Sequence, residues 1–186
     1  MRTLVYSMAV SLDGFVEGRG RELDWSTPDD ELHQFWNDQT RGATTALYGR
    51  RLYELMAGFW PTADADPDAP ATIAEFARLW RAMPKVVFSS TLEKVGWNSR
   101  LVRGDAAAEA ERLKAEPGGD MEVGGPTLAS ALIECGLVDE FRLVVHPVVL
   151  GGGTPFFPPL ERRLSLRLVE SRRFGSGVVY LRYAAS

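Results

Sequence analysis

Residues 121–136, Met-Glu-Val-Gly-Gly-Pro-Thr-Leu-Ala-Ser-Ala-Leu-Ile-Glu-Cys-Gly, constrain the fold of this chain more than any other stretch. A short apolar run holding Met121 and Val123 breaks at Gly124-Gly125, and Pro126 then stands where a helix begins. Its fixed φ suits that position, and its missing N–H costs nothing there, because first-turn donors have no intrahelical acceptor. Leu128, Ala131, Leu132 and Cys135 recur at helical spacing, and Gly136 suits the left-handed residue that closes a helix. The stretch reads as strand, glycine turn and helix N-terminus. Glycines let a ligand approach the backbone, and the free first-turn amides carry partial positive charge, so a phosphate or pyrophosphate fits. A plain βα turn, with glycines needed only for φ, accounts for the same residues, and this stretch alone does not separate the two.

Similar alternation runs along most of the chain. Thr3–Leu12 reads as a buried strand ending at Asp13-Gly14, followed by an irregular loop to Trp25. Ser26-Thr27-Pro28-Asp29-Asp30-Glu31 predicts a helix start with a hydroxyl cap, and Leu32, Phe35, Trp36 and Gln39 mark its apolar side, with His33 exposed. Strands at 44–48, 85–89 and 99–103 alternate with helices opening at Gly49-Arg50-Arg51, Ala71 and Asp105. Residues 58–70, rich in Pro, Asp and Ala, predict a mobile surface loop. Residues 140–146 and 148–150 are strand-like about Pro147, with His146 structural, and Gly151-Gly152-Gly153 bends the chain. Residues 165–173 and 178–184 predict an antiparallel hairpin about Gly175-Ser176-Gly177. No repeat or linker divides the chain, so one domain over residues 1–186 is expected. Its class is α/β, a mostly parallel central sheet flanked by helices with a C-terminal antiparallel hairpin.

A net charge of -4 and a pI near 5.3 leave no basic footprint for nucleic acid. The lone Cys135 falls on an apolar helix face and reads as a buried packing thiol, with no disulfide and no metal cluster. That usage fits a reducing compartment, and no apolar run reaches membrane-spanning length, so a cytoplasmic protein is expected.

In parallel α/β sheets, ligands bind along the edge where strand C-termini lie. Three predicted strand exits carry similar chemistry: Gly49-Arg50-Arg51, Ser89-Ser90-Thr91 and Gly124-Gly125-Pro126-Thr127. They offer guanidinium forks, hydroxyls and helix-start amides, which together suit a ligand bearing several phosphates. A solvated pair is the other reading of Arg50 and Arg51, but a helix start disfavours cations, which tips the balance towards an anionic partner. No G-x-G-x-x-G opens the chain and no G-x-x-x-x-G-K-[ST] occurs.

Five segments together resemble the dihydrofolate reductase-like fold, and within it the reductase domain of bacterial riboflavin biosynthesis (the RibD C-terminal domain) and its stand-alone relatives. They are Ser11–Phe15, Leu47–Glu54, Lys85–Thr91, Val123–Leu128 and Pro147–Gly153, in family order. The resemblance implies a three-layer fold with NADPH along the sheet edge. It places the adenosine-side phosphates at Gly49, Arg50, Arg51, Ser89, Ser90 and Thr91. The pyrophosphate falls at Gly124, Gly125, Pro126, Thr127 and Leu128, and the nicotinamide beside Ala9 and Val16. It also implies a small-molecule substrate facing Asp13, Phe15, Trp25, Thr27 and Trp36, and a homodimer joined through 156–160 and the hairpin. The implied reaction is hydride transfer to a small heterocycle or sugar imine, as in a 5-amino-6-(5-phosphoribosylamino)uracil reductase. Asp13 is the candidate catalytic residue, although Asp-Gly after a strand is also ordinary turn chemistry. Two departures stand out. Leu52 replaces a threonine common in the family, and the acids Asp29, Asp30 and Glu31 read as helix-start residues rather than as a pterin-binding carboxylate. Reduction of other small carbonyl or pterin-like compounds, and a non-catalytic nucleotide-binding module, remain the alternatives.

Overall fold

The computed structural model describes residues 1–186. In chain order the elements are β1 (Leu4–Ser11), β2 (Phe15–Glu17), α1 (Asp30–Gly42), β3 (Thr45–Gly49), α2 (Arg50–Phe59), α3 (Ala71–Ala82), β4 (Lys85–Phe88) and β5 (Ser99–Val102). They continue with α4 (Ala106–Ala115), β6 (Met121–Gly124), α5 (Pro126–Glu134), β7 (Glu140–His146), β8 (Thr154–Pro155), β9 (Leu166–Arg173) and β10 (Val179–Ala185). Eight strands form one sheet in the order β5-β4-β3-β6-β1-β7-β10-β9. Neighbours from β5 to β7 run parallel, and the hairpin β9–β10 joins antiparallel at one edge. The expected class is the one observed.

Strand alternation splits the core into two layers. On one face Leu4, Tyr6 and Val10 of β1 pack with Ala110 and Leu113 of α4 and with Leu128, Ala129, Leu132 and Ile133 of α5. On the other, Leu32 and Phe35 of α1 meet Val144, Phe174, Val178 and Tyr180. The N-terminal ends of the central parallel strands are pinned together. The Arg2 guanidinium donates to Gly119 O (2.8 Å) and to the hydroxyls of Thr44 (2.8 Å) and Thr45 (2.6 Å), while Leu4 N donates to Asp139 Oδ2 (2.7 Å).

Several local expectations are corrected. The cap of α1 is Asp29, whose Oδ1 accepts from Leu32 N (2.9 Å). The hydroxyls of Ser26 and Thr27 turn back to Leu23 O and Asp24 O across a 3-10 turn. His33 is buried, its ring edge-on to Trp60 (5.9 Å) and Phe76 (6.0 Å), because α3 packs beside α1 and covers a second side of that helix. Cys135 is exposed, since α5 stops at Glu134 and the following residue turns away from the core. Residues 58–70 begin as the end of α2 and a 3-10 turn with Pro61 buried. Arg81 holds the segment through Pro61 O (2.9 Å) and both Asp64 oxygens (2.8 and 2.7 Å). Residues 148–150 join no strand, and residues 15–17, read as loop, pair with β8. Phe156 stacks on Tyr6 (4.2 Å) inside the core, so it presents no surface to a partner.

Candidate functional site

The exits of β4, β3 and β6 are consecutive in the sheet. The Ser89–Thr91, Gly49–Arg51 and Gly124–Thr127 turns therefore lie side by side on one edge. A cavity of about 680 Å³ opens there, lined by Val16, Gly49, Arg50, Arg51, Gly125, Pro126, Thr127 and Leu128 among the residues singled out in the sequence. Thr91 sits at its rim, its Oγ1 accepting from Arg50 Nη1 (2.7 Å).

The helices differ in how their first-turn amides are satisfied. Asp29 and Asp105 cap α1 and α4 with their side chains, whereas α3, which does not line the cavity, opens behind Pro70 with neither a side-chain cap nor a first-turn acid. The two helices that begin at the cavity, α2 and α5, have no side-chain cap and no acid in the first turn. In α5 the first intrahelical bond is Ala129 N to Gly125 O (3.1 Å), so the amides of Thr127 and Leu128 precede it and have no helical acceptor. Two uncapped N-termini on one concavity make a field suited to a phosphorylated ligand.

The paired glycines do different work. Gly125 has φ +91°, a conformation side chains rarely adopt. Gly124 needs no special dihedral; a Cβ there would lie 2.5 Å from Leu52 Cδ2 and 3.1 Å from the Tyr48 ring. Gly124 thus makes room for Leu52 rather than for a ligand, and Leu52 fills the place of the family's threonine with an apolar cavity wall.

Both arginines of the β3 exit already hold carboxylates. Arg50 Nε pairs with Glu54 (3.0 Å), which also lines the cavity. Arg51 forms a two-pronged pair with Glu17, Nη1 to Oε1 (2.8 Å) and Nη2 to Oε2 (2.6 Å), while Thr154 Oγ1 donates to the same carboxylate (2.7 Å). The Arg51 hydrogen bond, aided by Thr154, holds the Glu17 carboxyl below its usual range, and Glu17 raises Arg51 in turn.

Asp13 braces the strand exit. It accepts from Ser11 Oγ (2.7 Å), Leu150 N (3.1 Å) and Gly151 N (2.8 Å), and the Ser11 bond leads in lowering its pKa. The other singled-out positions are not gathered into the cavity. Ala9 lies on the sheet face opposite Met8, whose side chain lines it. Ser89 Oγ accepts from Thr91 N (3.2 Å) and Leu92 N (3.0 Å), and Ser90 O accepts from Arg103. Trp25 packs edge-on against His146 (5.4 Å), whose Nε2 is buried without a partner and whose pKa burial lowers. Phe15 lies in β2, Thr27 Oγ1 bonds Asp24 O, and Trp36 packs against Phe35. Sequence reasoning missed Met8, Glu17, Arg21, Leu23, Glu54, Leu55, Phe88 and Ala131 of the lining. Met8 and Phe88 were legible, since Met8 falls in the alternation of Leu4, Tyr6 and Val10 along β1 and Phe88 ends that of β4.

A largely parallel sheet with an antiparallel hairpin edge and a cleft at its strand exits defines a dihydrofolate reductase-like α/β protein. Solved structures share this architecture. A Shewanella sp. PV-4 protein named for riboflavin biosynthesis aligns over 100% of this chain and 99% of its own, with a TM-score of 0.77 at 23% identity. Dihydrofolate reductase from Enterococcus faecalis, complexed with NADP(H) and RAB-propyl, aligns over 99% and 96%, with a TM-score of 0.65 at 14% identity. At such identities the likeness is one of fold. The chain belongs to the RibD C-terminal domain family, whose model matches residues 2–180. The uncharacterized protein YyaP of Bacillus subtilis (strain 168) is 38% identical over 183 residues, 98% of this chain and 94% of that protein. No helix is long and apolar enough to cross a membrane.

Proposed function

We propose that the chain is an NADPH-dependent reductase that delivers hydride to a small heterocyclic or sugar-imine substrate, in the manner of a 5-amino-6-(5-phosphoribosylamino)uracil reductase. The observation that carries this reading is the pair of uncapped helix N-termini, α2 and α5, opening on one cavity beside the Arg50–Thr91 contact. These groups fit an elongated, multiply phosphorylated cofactor. Arg50 and Thr91 hold the phosphate nearer the adenosine, and the Thr127 and Leu128 amides hold the pyrophosphate. Val16 and Met8 wall the inner end. NADPH, when bound, supplies the hydride, and the protein orients the partners and excludes water.

Asp13 is ionised near neutrality, as an exposed aspartate ordinarily is, and its hydrogen bonds lower its pKa further. It therefore serves as an acceptor for a substrate N–H or O–H, and as a brace for residues 150–151, rather than as a proton donor. Phe15, Trp25, Thr27 and Trp36 remain the proposed substrate side of the same strand exit. A homodimer is proposed through the hairpin, where Leu168 and Val169 of edge strand β9 are 51% and 43% exposed; light scattering at rising concentration tests it. A cytoplasmic home is proposed with it.

The test is NADPH oxidation by the purified chain across pterin, pyrimidine, quinone and sugar-imine acceptors. Turnover with any acceptor supports the proposal. Saturable NADPH binding without turnover points to a nucleotide-binding module, and no binding at all refutes both.

A further inference from the structure

We infer that Arg51 is not an anion contact of the cleft but one half of a latch, closed by Glu17, that fixes the wall carrying Val16. The inference rests on the proposed cofactor cleft for its consequence and on geometry alone for its existence. The Glu17 side chain is 8% exposed while Arg51 is 50% exposed, so the carboxylate is the buried partner and the guanidinium reaches in to it from the start of α2. Both Glu17 oxygens are engaged by the planar fork, and Thr154 supplies a third donor. A carboxylate thus occupies on Arg51 the two-pronged geometry that a phosphate would take.

An incoming phosphate has to win that fork from Glu17, which leaves a nearly buried carboxylate with the Thr154 hydroxyl as its one hydrogen-bond donor and the charge of Arg21 nearby. Stranding a buried charge in this way is strongly unfavourable. The backbone that carries Glu17 is held in place as well. Gly153, at φ +143°, packs so closely on the Glu17 carbonyl that a Cβ at that position overlaps it. Strands β2 and β8 are therefore locked together behind the pair. Arg50, exposed and tied only to Glu54 and Thr91, keeps its remaining donors for a ligand. The two adjacent arginines divide the work: Arg50 reads charge and Arg51 holds shape. The latch joins residues 34 apart in sequence across the cavity mouth, from the end of β2 to the start of α2.

The test compares wild type with Glu17→Gln, Arg51→Gln, Arg51→Lys and Arg50→Gln. Hydrogen exchange without ligand comes first. The amides of Gly18 and Arg21, bonded to Glu22 O and Gly18 O, are expected to exchange roughly tenfold faster in Glu17→Gln and Arg51→Gln, with Arg51→Lys between, and β6 unchanged. Binding of NADPH and NADH is measured next. Arg51→Gln is expected to weaken both nucleotides together and leave their ratio unchanged, whereas Arg50→Gln lowers the preference for NADPH roughly tenfold. Unaltered exchange at Gly18 and Arg21 overturns the latch, and so does a loss of NADPH preference in Arg51→Gln equal to that in Arg50→Gln. If no variant and no wild-type sample binds either nucleotide, the cofactor proposal fails, and the exchange result alone decides the latch.

Discussion

Gly124→Ala is the perturbation whose cost follows most directly from the geometry. The backbone at Gly124 lies outside the positive-φ region, so alanine brings no dihedral strain there. Its Cβ instead meets Leu52 Cδ2 at 2.5 Å and two atoms of the Tyr48 ring at 3.1 and 3.2 Å. The leucine terminus can rotate within a half-buried site, but the tyrosine ring, rooted in β3, cannot. Overpacking of this kind costs about 1–2 kcal/mol, which for a chain of 186 residues lowers Tm by roughly 2–8 °C. In a Leu52→Ala background the closest clash is gone, and adding Gly124→Ala is expected to cost roughly half as much, the signature of two side chains in contact. Gly125→Ala behaves differently. Its φ of +91° makes the cost, about 1–3 kcal/mol, independent of Leu52. Urea midpoints at constant m-value measure all six proteins: wild type, the three single variants, and Gly124→Ala and Gly125→Ala each combined with Leu52→Ala. A Gly124→Ala penalty that is absent in wild type, or unchanged by Leu52→Ala, refutes the assignment of Gly124 to packing.

Asp29→Ala is expected to destabilise the chain by about 1 kcal/mol as the cap of α1 is lost, and Ser26→Ala by only a few tenths; chemical denaturation distinguishes them. Asn37 is fully buried, with Nδ2 donating to Thr72 O (3.0 Å) and Glu75 Oε2 (2.8 Å), so Asn37→Ala should cost about 1–3 kcal/mol by loosening α1 from α3. Burial lowers Lys85 to about 8, although its Nζ donates to Trp80 O (2.5 Å) and Met83 O (2.6 Å). Above that value the unfolded chain holds more protons than the folded one, so unfolding free energy should rise between about pH 8 and 9.5, by an amount on the order of 1–2 kcal/mol. Lys85→Met removes that slope. The window closes near pH 10, where Tyr6, Tyr48 and Tyr180, all raised by burial, reverse the sign.

What the sequence discloses is what depends on period and order. Alternating strand and helix patterns imply parallel strands, parallel strands put their exits on one edge, and the glycine turn before Pro126 marks where a helix opens on it. What it conceals depends on contacts between distant residues. Arg51 looks like a free cation at a helix start until β2 and Thr154 bring Glu17 to it. β2 and β8 are too short to show a period, and the chain reaches their pairing through Gly151–Gly153, all at positive φ. Ser26 and Asp29 are equally good cap formers three residues apart, and the 3-10 turn over 24–26 decides between them. Cys135 follows the helical period by one position too many, because the helix ends before it. Gly124 and Gly125 look alike on paper, and only the positions of Leu52 and Tyr48 show that one serves packing and the other φ.

The central claim is that the β3, β4 and β6 exits act as one anion-binding edge. Amide chemical shifts of isotope-labelled protein, followed as NADPH is added, test it most directly. Concerted, saturable shifts at Arg50, Thr91, Thr127 and Leu128 with a single dissociation constant are expected. Shifts confined to other parts of the molecule, or different affinities reported by those four residues, contradict it.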